Sequence, residues 1–421
     1  MTNIRRSIVK RLVRGQTRSS AVARLSSFGL DLMGYKGYRL SSVVDHGATR
    51  LDPVFGPSES QVAKPRPLET EVELFTRPLP PIQPLVIENV AGRSGSSFLY
   101  KGYNLLLPDE MYDSLDRTSL LTNSGFFFQD YFVTSHSQTA EVPYGICAFG
   151  HGDANWYHWL AEILPVVWLS RNLPAEFKDY PLLVPETALT IPSFRETLDL
   201  CRGDREVIGL RGDVLHRFDR LVHIPSPVSG PFNMRDHMWP EPEDYIQNVD
   251  VVRQVRHAVL ENLGIERDAD SPKRVFLVRP PRARSYNQED IRVAAEARGF
   301  TAVQMEQLTF REQVSLMYNA EFVIGPTGAA FANTLFMSPG SQSLVWALQE
   351  YDGACFFSNL AHAAGCEMTY CFVEADTTVK SSYEAFAASY KLPVDTFCEH
   401  IDQLLENTGS ADVRAQKMAT Q

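Results

Sequence analysis

The segment FVIGPTGAAFANTLF, residues 322–336, decides the fold of the C-terminal half of this 421-residue chain. It predicts an apolar strand that runs through Gly-Pro-Thr-Gly into a helix of small residues beginning at Ala329. The first amides of a helix have no intrahelical acceptor and carry the positive end of its dipole, so this strand end suits an anion. We therefore expect a phosphorylated ligand, although the same turn also serves α/β proteins as a simple connection.

The residues of this turn contribute separate properties. Gly325 and Gly328 allow the backbone to turn sharply and to approach a ligand closely, and Pro326 fixes one φ angle. Thr327 adds a hydroxyl that can donate a hydrogen bond to a phosphate. The turn is thus suited to close backbone contact with a ligand.

A second strand is predicted upstream, where RVFLVR (residues 274–279) ends in the basic run RPPRARSYN. Arginine suits a diphosphate because its planar guanidinium stays ionised and donates two parallel hydrogen bonds. Arg279, Arg282 and Arg284 would then share the carboxyl edge of an open α/β sheet with the Gly325 turn, and ligands bind at that edge. A basic loop in solvent is the alternative for these arginines.

Four sequence blocks follow one another along the chain. They read N-W-Y-H-W-L-A-E-I-L-P at residues 155–165, R-x4-R-x2-N from Arg279, E-x5-E-Q from Glu306 and G-P-x-G-A-x3-N-x2-F from Gly325. Together they resemble glycosyltransferase family 61 over roughly residues 150–370. The chain departs from the family pattern at Thr327, where the family usually has histidine, and at Trp346, where it usually has an acidic residue.

The resemblance implies an α/β protein of the GT-B type, with two Rossmann-like domains and a cleft between them. It also implies an inverting transferase that uses a nucleotide-diphosphate sugar, with bacterial members found among capsular polysaccharide genes. A non-catalytic nucleotide-sugar or carbohydrate-binding protein on the same fold is the alternative. The residues expected at the donor site are Arg279, Arg284, Asn287, Glu306, Gly325, Thr327, Gly328, Ala329 and Asn333.

The acceptor side is expected on the helix predicted from residue 155. Asn155, His158 and Glu162 share one face of that helix, with Trp156 beside them. A transferase needs a base for the acceptor hydroxyl, and a neutral imidazole or a carboxylate can serve near neutral pH. His158 is the first choice, with Glu162 orienting it and Asp153 as the rival base. The alternative is structural: Asn155 caps the helix and the His158 to Glu162 pair stabilises it.

No cofactor is expected, and we expect transfer to be independent of metal. His151, His158 and Glu162 are plausible ligand types, but zinc sites usually hold three or four well-placed ligands with an orienting second shell. The D-x-D sequence at residues 268–270 falls in a predicted turn rather than at a strand end. Arginines and helix amides would neutralise the leaving diphosphate instead.

Length and composition indicate two domains, because 421 residues exceed a typical single core and 44% of them are hydrophobic. Residues 1–84 are expected to form a basic extension and an irregular entry segment. Residues 85–240 are expected to form a Rossmann-like acceptor domain and residues 241–410 a Rossmann-like nucleotide-sugar domain, with a tail at 411–421.

Alternating patterns in the second half predict a parallel sheet. Val252, Val255, Val259 and Leu263 line one helical face, and Thr309 with Glu312 matches a capping box. Strands are predicted at residues 274–279, 300–305, 321–325, 343–347 and 368–373, and helices at 289–298, 310–319, from 329, around 359–364, and near Tyr383 and Asp395.

Charge is distributed unevenly along the chain. Formal net charge is −11, yet residues 1–24 hold seven basic residues and no acidic one. This segment could lie on anionic lipid or form a basic tail in solvent. An acidic remainder argues against nucleic-acid binding. Six irregularly spaced cysteines and the lack of a long apolar run favour a cytoplasmic protein, peripheral at most to the inner face of a bacterial plasma membrane.

Overall fold

The computed structural model describes residues 35–107, 125–128, 131–135, 138–230, 239–280, 285–380, 384–385 and 388–418. Several of the predictions made from the sequence concern residues outside these ranges. The basic segment 1–24, the arginines Arg282 and Arg284, and Tyr383 lie outside the described residues; next to Tyr383, residues 384–385 are helical.

The strands and helices are as follows in chain order. The strands are β1 (Lys36–Ser42), β2 (Thr49–Arg50), β3 (Ser58–Ala63), β4 (Leu74–Leu79), β5 (Leu85–Gly92), β6 (Leu99–Lys101), β7 (Asn104–Leu107), β8 (Gly125–Phe128), β9 (Tyr131–Thr134), β10 (Gln138–Cys147), β11 (Leu182–Pro185), β12 (Val207–Leu210), β13 (Val214–His223), β14 (Val228–Ser229), β15 (Ile246–Gln247), β16 (Arg274–Leu277), β17 (Thr301–Val303), β18 (Phe322–Pro326), β19 (Gln342–Leu348) and β20 (Glu367–Val373). The α-helices are α1 (Trp156–His158), α2 (Leu164–Leu169), α3 (Thr187–Thr190), α4 (Pro192–Cys201), α5 (Val249–Leu263), α6 (Gln288–Glu296), α7 (Phe310–Asn319), α8 (Phe356–Ala364) and α9 (Val394–Met418).

The described chain divides into two compact units. The first contains residues 35–57 and Pro80–Ser226, and the second contains Ser58–Leu79 and residues 227–418. The hairpin β3–β4 therefore belongs to the second unit, although the sequence analysis places it in an N-terminal entry segment. Among the described residues, none of the helices combines the length and apolar character that a membrane crossing demands.

The first unit is built on a mixed sheet. Its order is β12-β11-β10-β13-β5-β6-β7-β1-β9-β8, with β2 beside β5. Strands β12, β11, β10 and β13 run parallel, and β13 then pairs with β5 antiparallel. The sheet thus departs from the all-parallel sheet of the predicted Rossmann-like domain. One antiparallel pair has a local reason: β6 and β7 are joined by the two residues Gly102 and Tyr103, and so short a link permits only antiparallel pairing.

The parallel part of that sheet nevertheless has a familiar order. Counted along the chain from β10, the four strands lie in the order third, second, first, fourth, which is the beginning of the Rossmann order. Phe218 and Leu221 of β13 are buried in the core cluster of this unit together with Cys147 of β10. The segment that carries His158 follows β10 directly.

The second unit contains the predicted parallel sheet, with the strand order β17-β16-β18-β19-β20. Counted along the chain this is the order 2-1-3-4-5, in which the direction of strand addition reverses between β16 and β18. Val275 lies opposite Val323 and Phe276 lies opposite Ile324 across that pair. The sequence prediction of alternating strands and helices is confirmed for this unit.

Two helices of the second unit confirm predictions from periodicity. All four residues of the predicted face, Val252, Val255, Val259 and Leu263, are buried on α5. Helix α7 has the predicted bounds, and its capping box is present because Thr309 Oγ1 accepts from Glu312 N while Glu312 Oε2 accepts from Thr309 N. The helix expected from Ala329 is instead a 3₁₀ helix over Ala329–Phe336.

The irregular structure predicted for residues 1–84 is wrong for its described part, because residues 35–79 contain four strands. The hairpin β3–β4 is held by distant residues. Ala63 N donates to Asn359 Oδ1 (2.8 Å), Ser358 Oγ donates to Ala63 O (2.6 Å), and Gln247 N donates to Ser60 Oγ (3.0 Å). These partners come from far along the chain, so local composition cannot reveal the pairing.

Replacing Asn359 by alanine should destabilise the second unit. The substitution leaves the buried N–H of Ala63 without its acceptor, which costs about 1–3 kcal/mol. Urea unfolding should show a lower midpoint for Asn359→Ala, whereas Thr76→Ala, an exposed change on β4, should match the wild type. Equal midpoints for all three proteins would contradict the anchoring role.

Candidate active site

The first candidate site, in the first unit, is the helical segment that follows β10. Asn155 caps it, because the Asn155 side chain accepts a hydrogen bond from Tyr157 N (2.9 Å). The segment then widens into a π-helix over Trp159–Ile163 before continuing as α2. Pro165 accounts for the wide turn, since it has no N–H and crowds the carbonyl four residues earlier. Glu162 lies within this wide turn.

His158 and Glu162 form a close pair. Nδ1 of His158 lies 2.8 Å from Oε2 of Glu162, and the two side chains are only 8% and 17% exposed. Burial lowers the pKa of His158, but the charge and hydrogen bond of Glu162 and the charge of Asp153 outweigh it, so the pKa is raised above its ordinary value. The pair fixes the orientation of the imidazole and stabilises its protonated form.

Gly152 makes room for this imidazole, a role that the sequence analysis missed. Its φ is +63°, a conformation that favours glycine, and a β-carbon added there would overlap the ring of His158. The ring of His151 lies edge-on to that of His158 with centroids 5.3 Å apart. Burial and then the charge of His158 lower the pKa of His151 to about 3, so His151 is neutral near pH 7.

Asp153 holds the loop before the helix. The residue is 3% exposed, and its Oδ2 accepts from Ser94 Oγ (2.8 Å), Gly95 N (2.8 Å) and Gly150 N (3.4 Å). Burial raises the pKa of Asp153, and these hydrogen bonds partly offset it. The three donors on Oδ2 anchor this loop, and the choice of His158 over Asp153 as the base stays a prediction.

Trp156, expected on the acceptor side, packs within the first unit. Its ring lies 5.3 Å from the ring of Phe194 on α4, and Trp159 stacks on the same phenylalanine at 5.3 Å. Trp159 is also tied by its indole N–H to Thr197 Oγ1 (2.8 Å). These contacts fix the position of the helical segment.

The second candidate site, in the second unit, is the turn after β18. A β-carbon at Gly325 would lie 2.9 Å from the carbonyl oxygen of Leu277 on β16, so only glycine fits between these strands. Thr327 N donates to Trp346 O (2.9 Å), which fixes the turn on β19. Phe331 N donates to Gly328 O (2.9 Å) as the first bond of the 3₁₀ helix, so the amides of residues 329 and 330 precede it.

Arg279 crosses this turn from the end of the neighbouring strand. Its Nη2 donates to Thr327 O, and a β-carbon at Gly328 would lie 3.3 Å from the same nitrogen. The predicted neighbours Arg279, Thr327 and Gly328 are therefore together, at the point where strand order reverses. A guanidinium and exposed helix amides at one place can bind a diphosphate.

Gln288 clamps the backbone of Arg279, and the sequence analysis missed this residue. Gln288 Oε1 accepts from Arg279 N (2.9 Å), and Gln288 Nε2 donates to Arg279 O (2.9 Å). Tyr286 OH donates to the same Oε1 (3.1 Å). No sequence motif marks Gln288, because its role depends on a loop that returns to the strand end.

Other expected donor residues lie apart from this turn or are held by the protein. Asn287 makes two hydrogen bonds with the backbone of Leu392. Asn287 Nδ2 donates to Leu392 O (2.9 Å), and Leu392 N donates to Asn287 Oδ1 (3.0 Å). Asn333 is 1% exposed, and its Nδ2 donates to Ala330 O (3.2 Å). Glu306 is exposed in the 3₁₀ turn after β17. The amides of Asn287 and Asn333 thus have structural roles.

Residues 156–344 match the family model described as Glycosyltransferase 61. The match begins at the first residue of α1 and ends within β19, so it includes both the His158 to Glu162 pair and the Gly325 turn. This chain contains a glycosyltransferase family 61 domain. It is therefore a glycosyltransferase, an enzyme that uses a sugar donor and an acceptor. The curated proteins compared with the chain include no match.

Trp346 of the transferase is fully buried. It stands where family 61 usually has an acidic residue. Its ring packs against Phe276 (5.6 Å), Tyr286 (6.0 Å) and Phe397 (5.6 Å). A side chain at this depth supports the sheet beneath the turn and does not contact a ribose. Thr327 stands beside it, 9% exposed, in place of the expected histidine.

Two further observations concern possible metal and redox chemistry of the transferase. Each of its six cysteines is a free thiol. Across the described ranges, no group of three or more His, Cys, Asp or Glu side chains is arranged to hold a metal ion.

The His158 to Glu162 pair should stabilise the transferase more at low pH than at high pH. The pKa of His158 is raised on folding, so its contribution is complete below its ordinary pKa of about 6.5 and is lost as pH rises through the folded value. Glu162→Gln should therefore lower the melting temperature more at pH 5.5 than at pH 9.

The exposed pair His257 and Glu261 on α5 is the matched control, with nitrogen and oxygen 3.6 Å apart and side chains 79% and 73% exposed. Glu261→Gln should change the melting temperature little at either pH, because exposed ion pairs contribute little. A pH-independent effect of Glu162→Gln would show that Glu162 does not raise the pKa of His158.

Proposed function

We propose that this transferase inverts the anomeric centre as it moves a sugar from a nucleotide-diphosphate sugar to a hydroxyl of a glycan or glycoconjugate. The observation that carries the proposal is the paired His158 and Glu162, held at 2.8 Å in the family-matched region that also contains the Arg279 turn. The His158 to Glu162 pair would supply the base, and the Arg279 turn would supply the diphosphate site.

The donor is proposed to bind at the end of β16 and β18. The Arg279 guanidinium and the amides at the start of the 3₁₀ helix would contact the diphosphate oxygens. As the bond between the sugar carbon and the phosphate oxygen breaks, negative charge grows on the leaving nucleoside diphosphate. Preorganised donors stabilise that charge most strongly when it develops, which lowers the barrier. Metal-independent transfer is part of this proposal.

The acceptor is proposed to be activated by His158. Its Nε2 would take the hydroxyl proton while the acceptor oxygen attacks the sugar carbon on the face opposite the leaving group, which inverts the configuration. Glu162 accepts the Nδ1 proton in a hydrogen bond and stabilises the imidazolium that forms, as the carboxylate does in a catalytic triad. Because one donor and one acceptor must meet both groups, the proposal includes a GT-B arrangement of the two units.

The biological setting remains part of the proposal as well. We place the enzyme in the cytoplasm, at most peripheral to the inner face of a bacterial plasma membrane, in surface or capsular polysaccharide assembly. The resemblance to family 61 and the basic residues 1–24 support this placement.

Removal of residues 1–24 should lower binding to vesicles of anionic lipid without slowing transfer to a soluble acceptor.

Separate substitutions should separate the two roles. A thermal-shift panel of UDP, GDP and CMP first identifies the nucleotide, because a ligand that binds the native state raises its melting temperature. His158→Ala should then slow transfer by about a hundredfold to ten-thousandfold and leave nucleotide affinity unchanged. Arg279→Ala should weaken nucleoside diphosphate binding by about tenfold to a hundredfold, since a bond to a charged group contributes about 1.5–3 kcal/mol.

His257→Ala and Arg292→Ala are the matched controls, because the ion pairs of both side chains lie within their own helices. Each should behave like the wild type in both measurements. Near-normal transfer by His158→Ala would assign the pair a structural role, and unchanged affinity in Arg279→Ala would remove that arginine from the donor site.

Chelation should leave the transfer rate nearly constant. The proposed diphosphate contacts are a guanidinium and backbone amides, and neither needs a bridging cation. Rates measured with and without excess EDTA test this expectation. Loss of activity in EDTA that manganese or magnesium restores would contradict it.

A further inference from the structure

The first unit contains a cavity that the proposed mechanism does not use. Its volume is about 410 Å³, within the range of small-molecule sites. Four connections form its walls: the residues after β5, the loop after β10, the turn after β11 and the link between β12 and β13. Asp153 and Ala154 of the second connection line it, together with Glu186 and Thr187 of the third.

The charges of the lining have both signs. Arg93 is 7% exposed and donates from Nη2 to Thr134 Oγ1 (3.1 Å), while Asp153 and Glu186 are acidic. A wall with one cation and two carboxyl groups has no strong preference for an anion or a cation. Hydroxyl groups both donate and accept, so a neutral ligand with several hydroxyls can satisfy such a wall.

Glu186 lines the cavity at an exposed position, so solvent and a ligand can reach it. Carboxylate oxygens accept hydrogen bonds, and a bond from a hydroxyl to an ionised carboxylate is stronger than one between neutral groups. Glu186 can therefore bind hydroxyls of a ligand in this cavity.

The cavity shares its loop with the proposed base. Asp153 lines the cavity, and the preceding residue, Gly152, packs against the ring of His158. Asp153 also anchors the loop through Ser94, another lining residue (2.8 Å). A ligand in this cavity would therefore lie against the loop that positions the base.

From these observations we propose that the cavity binds a sugar ring of the acceptor, next to the ring whose hydroxyl is glycosylated; this inference rests on the proposed transferase function. The lining would select the acceptor by its pattern of hydroxyls. The donor would be recognised separately, by the Arg279 turn.

The test compares two lining variants with two matched controls. Ala154→Trp fills the cavity from an exposed position, and Glu186→Gln replaces one carboxylate of the lining by a neutral amide. Ala175→Trp and Glu206→Gln make the same changes at exposed positions of the first unit outside the lining. The probes are p-nitrophenyl glycosides of glucose, galactose, mannose, xylose and N-acetylglucosamine, tested for binding by saturation-transfer NMR and for transfer with the nucleotide sugar that the enzyme turns over.

Ala154→Trp should raise the KM for the best glycoside at least tenfold, and Glu186→Gln should raise it about threefold to tenfold, since a hydrogen bond to a charged group is replaced by a weaker neutral one. Donor affinity should stay unchanged in both, and the controls should match the wild type. Wild-type KM and NMR signals in both lining variants, or no glycoside binding by the wild type, would overturn the inference. Failure of the proposed function is distinct, because no nucleotide sugar would then be turned over, even by water.

Discussion

The close contact of β16 with β18 is the constraint on which the second unit depends. Gly325 lies so near the carbonyl of Leu277 that a β-carbon would reach within 2.9 Å of it. This spacing sets the turn that follows β18 beside the end of β16, where Arg279 reaches Thr327 O. Any larger residue at position 325 would separate the strands and remove the guanidinium from the helix amides. A packing requirement in the core thus fixes the geometry of the proposed diphosphate site.

The first unit solves a different problem, which is to keep a charged pair in a nearly dry position. Burial alone would make His158 neutral and a weak base, yet Glu162 at 2.8 Å and the nearby Asp153 reverse that effect. Pro165 widens the helix around Glu162, and Gly152 leaves space for the ring. The pair therefore depends on two backbone features that have no charge of their own.

Supporting residues explain why the two sites have defined positions. Gln288 satisfies both backbone groups of Arg279, and Asp153 gathers three donors from the loops before the helix. Hydrogen-bonded supports of this kind hold a functional side chain within the small tolerance that catalysis requires. They fix the backbone of Arg279 and the loop that precedes His158.

The sequence by itself determined the features that depend on neighbours within a few residues. These include the bounds and capping box of α7, the buried face of α5, the alternation that predicts a parallel sheet, and the spacing that pairs His158 with Glu162. Only the tertiary structure decided the features whose partners are distant. The hairpin β3–β4 joins the second unit through bonds to residues 296 positions away, and Asn287 is held by Leu392, 105 positions on. Local patterns record backbone periodicity and capping, whereas such partners are chosen by packing, which no short stretch of sequence contains.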